Sequence, residues 1–382
     1  MASVPVAAPD RAAELKELHS DIARKNLFPF WATNAGPGHD EVKQLLAAAP
    51  KAQPFLWSYR ELIEPLLVKA ARLVTTVDSE RRSLILVNPG LAPRRATVTT
   101  MYTAYRLNSP NEVMPPHKHT PSAIRFGLTG RQNFTGVEGE DMTFGPGDLV
   151  LTPNDAWHNH GCTGDEPAVN LSILDVPLVE NLNAAFFAHD YKEDGVIKKQ
   201  QTARVPTDYS QRVYGTGGYM PRFVRHDRSP HSSPMYCYRW EPLREMLEKH
   251  KDWDGDPYEA LTIEYVDPVN GGPVFKTMTF FAQMLRPGER TRPMKQTASL
   301  LVTPFEGGAE RGKAGHTLIG GKRFDWQNFD TLAIPANEWY EHVNDSNSPV
   351  VFFIGSDEPA LRAFGLHAKW GRTASGDVEQ LV

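Results

Sequence analysis

Two short histidine pairs carry the clearest chemistry in this chain: His117-Lys118-His119 and, further on, Trp157-His158-Asn159-His160. Both lie in strand-like sequence. Side chains alternate faces along a strand, so His117 and His119 project the same way, as do His158 and His160. Two imidazoles a few ångströms apart on one face suit a shared metal ion, and a third ligand arriving from another strand completes a facial site. The competing explanation is a set of solvent-facing histidines on edge strands.

The elements that must position these residues are short and β-prone. From Leu84 onward, apolar runs are punctuated by turn signals such as Asn88-Pro89-Gly90, Ser109-Pro110-Asn111, Gly145-Pro146-Gly147-Asp148 and Pro153-Asn154-Asp155. The 31 prolines and 29 glycines fit many strands joined by turns. Helical sequence is expected over Arg11–Arg24, over Ser58–Val74, where Pro65 marks a start or a kink, and around Pro242–Lys251. The stretch His189–Pro230 reads as a polar linker, and β-type sequence resumes from Val274 to Ile354.

The 382 residues allow one large or two medium domains. A net charge of -5, without a sustained Lys/Arg run, argues against nucleic acid as the main partner. Two cysteines, Cys162 and Cys237, make neither a disulfide framework nor a thiolate metal site and suggest a reducing cytoplasm. No signal peptide or membrane span is read.

The second β region repeats the first. Pro110-Asn111-Glu112 aligns with Pro287-Gly288-Glu289, Ser122 with Ser299, and Pro153 to His160 with Pro335 to His342, with a short insertion in the second copy. Each copy closes most simply as a small antiparallel barrel or jelly roll. Where copy one has His117, His119 and His158, copy two has Met294, Gln296 and Tyr340. Three candidate ligands are absent together, as a metal site predicts. Copy two does keep His342 opposite His160, so a shared structural role for that histidine competes with a catalytic one.

These residues resemble the cupin superfamily: His117-x-His119 with Gly130, then Gly147, Pro153 and His158, although the usual glutamate ligand is missing where Ala123 and Ile124 stand. More closely, the chain is similar to the bicupin gentisate 1,2-dioxygenase family, which includes salicylate and 1-hydroxy-2-naphthoate dioxygenases. The segments His117 to Phe126, Gly147 to Pro153, Trp157 to Gly161 and Leu174 to Leu178 carry the resemblance. It implies a mainly β bicupin of two antiparallel jelly-roll barrels with flanking helices. We divide it into an N-terminal helical arm (1–83), a metal-binding cupin (84–188), a linker and helix (189–255), a degenerate second cupin without metal (256–370) and a C-terminal tail (371–382).

Three neutral imidazoles leave open positions on a metal. The donors alone do not choose among Fe, Zn, Mn and Cu; the resemblance implies Fe(II) at His117, His119 and His158. It further implies O2-dependent cleavage of a 2-hydroxybenzoate between its carboxyl- and hydroxyl-bearing carbons, no organic cofactor, and a homotetramer.

Arg125 shares parity with the histidine pair, and an inward arginine is costly unless paired. Its partner is either a substrate carboxylate or a buried acid, and the resemblance places it in the substrate pocket. His160 is assigned to substrate hydrogen bonding or proton transfer. Tyr102, Ala104 and Arg106 alternate along one strand and, if inward, shape the pocket; Arg81 or Arg82 offers a further carboxylate contact. Gentisate enzymes usually carry Gln where Arg106 stands, and often Trp-Leu-Asp-Gly where Asn170-Leu171-Ser172-Ile173 stands. Ser172 removes an acceptor for the second ring hydroxyl of gentisate, and Arg106 adds a cation, so a 5-nitro or 5-amino salicylate is expected. The alternatives are gentisate or 1-hydroxy-2-naphthoate as substrate, a non-oxygenase cupin isomerase or decarboxylase, and a ligand-binding cupin without catalysis.

Overall fold

The computed structural model describes residues 11–25, 27–32, 38–47, 49–74, 82–224, 228, 231–307 and 315–382. The chain forms two compact units, Met1–Lys51 and Ala52–Val382. The first holds the helix Arg11–Arg24, with the bounds expected from its sequence, a single turn Phe30–Ala32 and the helix His39–Ala47. No helix among the described residues is long and apolar enough to cross a membrane.

Everything that carries chemistry lies in the second unit. It opens with a strand Phe55–Trp57 and a helical segment in which a wide turn, Tyr59–Ile63, runs into the helix Glu64–Leu73. Ser58 caps it by accepting the Glu61 N–H at 3.3 Å. Pro65 sits in the first turn of the regular helix, at the point where the wide turn passes into it.

Two antiparallel barrels follow. The first pairs a six-stranded sheet, in the order Cys237–Tyr238, Leu149–Thr152, Ala123–Thr129, Ala168–Leu174, Tyr102–Asn108 and Leu84–Ile85, with the three strands Glu140–Phe144, Asn133–Val137 and His158–Cys162. In the second barrel one sheet runs Phe55–Trp57, Thr331–Ile334, Leu300–Glu306, Val350–Ser356, Thr279–Leu285 and Leu261–Glu264. The other contains Lys322–Trp326, Gly315–Ile319, Tyr340–Asn344 and Met294–Gln296. The six strands of the two large sheets correspond one to one, and the helix Val176–Asn181 corresponds to Glu358–Ala363.

The copies exchange their first strands. Phe55–Trp57, ahead of the first barrel in the chain, pairs with Thr331–Ile334 of the second. Cys237–Tyr238, ahead of the second, pairs with Leu149–Thr152 of the first. In each copy the exchanged strand lies ahead, in sequence, of the strands Leu84–Ile85 and Leu261–Glu264 that begin the rest of the large sheet. Exchange gives each short edge strand ladder bonds in a sheet it does not precede.

A shared apolar core fuses the barrels: Phe126 stacks on Phe353 with ring centroids 3.9 Å apart, and Phe280 lies 5.8 Å from Phe353. Two buried carboxylates tie the same interface reciprocally. Asp175 accepts the Ser122 N–H at 2.7 Å and the Thr277 hydroxyl at 2.5 Å. Asp357 accepts the Ser299 N–H at 2.7 Å and the Thr100 hydroxyl at 2.5 Å. Each aspartate reaches a threonine of the opposite copy. Burial pushes both carboxyls up to about 6 against the opposing pull of those donors.

Candidate metal centre and substrate pocket

His117 and His158 face each other as a directly bonded antiparallel pair, N–H to carbonyl at 2.9 Å in both directions, so their rings emerge on one side. His119 follows from the strand Lys118–His119. Ring centroids lie 4.3 Å apart for His117 and His158, 4.7 Å for His119 and His158, and 5.9 Å for His117 and His119. All three are buried.

Second-atom hydrogen bonds fix the tautomers. Nδ1 of His117, His119 and His158 lies 3.2, 2.7 and 2.9 Å from the carbonyl oxygens of Pro115, Pro121 and Ala156. A carbonyl only accepts, so each Nδ1 carries the proton and each Nε2 carries the lone pair. His158 Nε2 is buried without a hydrogen-bond partner. An orphaned lone pair of that kind is costly to bury, and a metal ion satisfies it. Burial, then the neighbouring His117, His119 and Arg125, holds the His158 imidazole well below its usual range, in the neutral form that ligation requires.

Proximity alone would group the atoms differently. One nitrogen each from His117, His158 and His160 lies within 4.8 Å of the others. Hydrogen bonding separates His160 from that set: Arg125 Nη2 donates to its Nδ1 at 3.0 Å. A guanidinium cannot accept, so the His160 proton sits on Nε2, which is a donor and not a ligand atom. The donor set His117, His119 and His158 fits a metal ion; His160 fits a proton-bearing neighbour. Burial, followed by Arg125 and Arg106, keeps His160 neutral, far below its usual range.

A cavity of about 270 Å³ opens beside these rings, lined among others by Tyr102, Ala104, Arg106, Arg125, His160 and Ser172. The strand Tyr102–Asn108 supplies Tyr102, Ala104 and Arg106 at alternate positions, and Ser172 stands across from Ala104 on the next strand. Arg125 donates to Thr152 Oγ1 at 2.7 Å and to His160, and no carboxylate among the described residues pairs with it. Burial, then repulsion from Arg106, lowers its guanidinium to about 9, so it stays charged at neutral pH. A buried cation facing a cavity without an acid calls for an anionic ligand.

Arg106 and Arg82 are placed differently. Arg106 donates to Asn108 Oδ1 at 2.5 Å and to Glu112 Oε1 at 3.1 Å, so its charge is already met, and burial lowers it to about 10. Arg82 is not among the residues that line this cavity: it donates to the carbonyls of Val74 and Leu107, to Ser109 and to Glu112 Oε2 at 2.5 Å. Burial works against ionisation of Glu112, but the Ser109 N–H and the two arginines outweigh it and hold the carboxyl below its usual range. Arg81 lies outside the described residues. The cavity also draws on residues that sequence reasoning passed over: Ile85, Arg95 and Phe187. Phe187 pairs with His119 across a short ladder, a neighbour that no spacing in the sequence announces.

In the second barrel the matching positions are closed. Gln296 Nε2 donates to the Tyr340 hydroxyl at 3.0 Å, and the space left there is about 20 Å³. His342 lies 2.8 Å from Thr317 Oγ1, its cross-strand neighbour, and burial lowers it to about 3. His160 has the same neighbour, Thr135, yet leaves that hydroxyl without a partner and meets Arg125 instead. The two histidines therefore share a position without sharing a hydrogen-bond partner.

The cupin domain family matches residues 108–174. The chain is 33% identical over 357 residues to gentisate 1,2-dioxygenase 1 of Aquipseudomonas alcaligenes, covering 92% of this chain and 95% of that protein. It is 31% identical to 5-aminosalicylate 1,2-dioxygenase of a Comamonas species, covering 97% and 94%. Among solved structures, salicylate 1,2-dioxygenase of Pseudaminobacter salicylatoxidans superposes with a TM-score of 0.78 at 26% identity, over 96% of this chain and 99% of that one. Histidine cluster, paired jelly rolls and relatedness along nearly the whole chain agree, and the protein belongs to the bicupin gentisate 1,2-dioxygenase family of ring-cleaving dioxygenases.

Proposed function

We propose that the chain binds Fe(II) through His117, His119 and His158 and cleaves a 2-hydroxybenzoate between its carboxyl- and hydroxyl-bearing carbons, incorporating both atoms of O2. The observation that carries this reading is Arg125: a buried, charged guanidinium that lines the cavity beside the three histidines and has no acid partner among the described residues. A substrate carboxylate supplies the missing anion through charge-assisted hydrogen bonds. Fe(II), when bound, supplies the open coordination positions at which substrate oxygens and O2 come together. The protein's own groups do the rest. Arg125 orients the carboxylate, His160 presents a proton at Nε2 toward a substrate oxygen, and the apolar walls of the cavity limit water.

A 5-substituted salicylate is the preferred substrate in this proposal, and the amino derivative comes ahead of the nitro. Arg106 lines the cavity, but Glu112 neutralises it, so a ring substituent meets an ion pair and not a lone cation. A relative named for 5-aminosalicylate aligns over 97% of the chain. Gentisate is the second reading, favoured by the 33% identity to a gentisate enzyme. A cytoplasmic homotetramer belongs to the same proposal, and sedimentation of the purified protein tests its assembly state. The decisive experiment mixes Fe(II)-loaded protein in air with salicylate, 5-aminosalicylate, 5-nitrosalicylate, gentisate and 1-hydroxy-2-naphthoate, following O2 uptake and ring-opening absorbance. Preference for gentisate removes the 5-substituted assignment, and absence of O2 uptake on every compound removes the oxygenase reading.

A further inference from the structure

Glu138 and Gly139 form the turn between the strands Asn133–Val137 and Glu140–Phe144, with φ of +50° and +81°. A hairpin turn with two successive left-handed residues favours Asn, Asp or Gly, because a longer side chain crowds the backbone there. The matching turn of the second barrel, between Gly315–Ile319 and Lys322–Trp326, follows that preference with Gly320 and Gly321 at +55° and +79°. Glutamate is thus the unfavourable choice at this position, and it occurs in the barrel that has the histidines.

Its side chain has a specific partner. Glu138 Oε1 accepts the Trp157 N–H at 2.6 Å, and the Glu138 N–H donates to the Trp157 carbonyl at 2.9 Å. The Trp157 nitrogen belongs to the same peptide group as the Ala156 carbonyl, which accepts from His158 Nδ1 at 2.9 Å. One rigid peptide plane therefore has a carboxylate at its N–H end and an imidazole at its oxygen end. Negative charge at the N–H end polarises the peptide and makes its oxygen the stronger acceptor. A stronger acceptor at Nδ1 holds the ring in place and raises the basicity of Nε2. His117 has no such link, since the residue after its acceptor is Pro116, which lacks an N–H. The Pro121–Ser122 peptide does connect Asp175 to His119. That bond recurs in the second barrel as Asp357 on Ser299, so the inter-barrel tie already accounts for it. The Glu138 carboxylate does not recur. Gly320 keeps the backbone bond to Trp339 at 2.8 Å and has no side chain to add.

We propose that Glu138 is a positioning residue for the metal centre, setting the orientation and basicity of His158 through the Ala156–Trp157 peptide. The proposal rests on the reading of His158 as a ligand. The test measures Co(II) affinity of the metal-free protein by chelator competition, together with its thermal midpoint. Glu138→Gly installs the residue of the second barrel and relieves the turn. It is expected to weaken Co(II) binding by about threefold or more, less than the roughly 10–100-fold typical of direct outer-shell partners because the effect is relayed through a peptide. The metal-free midpoint is expected to stay within about 2 °C of the parent, since the lost hydrogen bond and the relieved turn offset each other. Glu138→Gln keeps an acceptor for the Trp157 N–H and should retain more affinity than Glu138→Gly. A loss under threefold, an equal loss in both variants, or a loss accompanied by a collapsed midpoint overturns the proposal. His158→Ala separates the two readings. If it binds Co(II) like the parent, His158 is no ligand; if it loses the metal while Glu138→Gly does not, only the part given to Glu138 falls.

Discussion

The two barrels share strands, order and interface, yet one encloses a cavity of about 270 Å³ and the other about 20 Å³. The difference resides in a few inward positions. Ala104 and Ser172, opposite each other in the first barrel, correspond to Phe281 and Ile354, opposite each other in the second. Two small residues leave room for a ligand, and two large ones fill the same space. Arg125 corresponds to Val302, so the cation that calls for an anion is replaced by an apolar side chain. His117, His119 and His158 become Met294, Gln296 and Tyr340, two of which bond to each other. A jelly-roll interior accepts either filling because its ladders are made by backbone groups.

Ways to break this contrast follow, beginning with the largest effect. His158→Ala should abolish Co(II) or Fe(II) binding and ring opening, whereas Tyr340→Phe at the matching position should leave kcat within about twofold, since a surface or spectator change shifts little. Metal analysis and O2 uptake on both variants decide it, and retained turnover in His158→Ala would dissolve the distinction between the barrels. Arg125→Val, which imports Val302, should keep the metal while kcat/KM falls by roughly 100-fold, corresponding to the 2–5 kcal/mol typical of truncating one partner of a buried charge pair.

A third prediction concerns what the barrels have in common. The Asp357 carboxyl stands at about 6 in the folded protein against an ordinary 3.8. Between those values the folded chain holds a proton that the unfolded chain has lost. Its contribution to stability is therefore complete below about pH 4, declines as pH rises to 6, and is flat above that. Asp357→Asn should remove that decline, so that parent and variant diverge by on the order of 3 kcal/mol between pH 4 and 6 in urea unfolding of the metal-free protein. Parallel curves would show that the interface does not raise this carboxyl. The smallest effect is expected for Ala104→Phe, which begins to fill the first cavity as Phe281 fills the second. Activity should drop about tenfold with metal affinity unchanged, in line with the 1–3 kcal/mol of overpacking. Unchanged kinetics would place the substrate elsewhere.

Much of the fold was legible because it rests on repeated local signals. Turn residues at matching positions in both copies mark the strand ends, and alternation within Tyr102–Asn108 sends Tyr102, Ala104 and Arg106 to one face. The exchange of Phe55–Trp57 and Cys237–Tyr238 between barrels was not legible, since a three-residue strand carries no mark of which sheet will accept it. The pocket divides the same way. Parity aimed Arg125 and Arg106 inward, but it could not show that Glu112 meets Arg106 while Arg125 has no acid among the described residues. Phe187 and Ile85 reach the cavity from two-residue strands to which the sequence reading gave no part in the pocket.

By itself the sequence determined the duplication, the two histidine pairs and the joint absence of His117, His119 and His158 from the second copy, because those depend only on residue type and spacing along the chain. Tertiary structure decided which nitrogen of each histidine carries a proton. Arg125, from another strand, sets the tautomer of His160, whereas His117, His119 and His158 are each set by a carbonyl two residues away, which the fold bends back toward the ring. Four histidines equivalent on paper thereby become three with a lone pair at Nε2 and one with a proton there, since a hydrogen bond at one ring nitrogen dictates what the other can do.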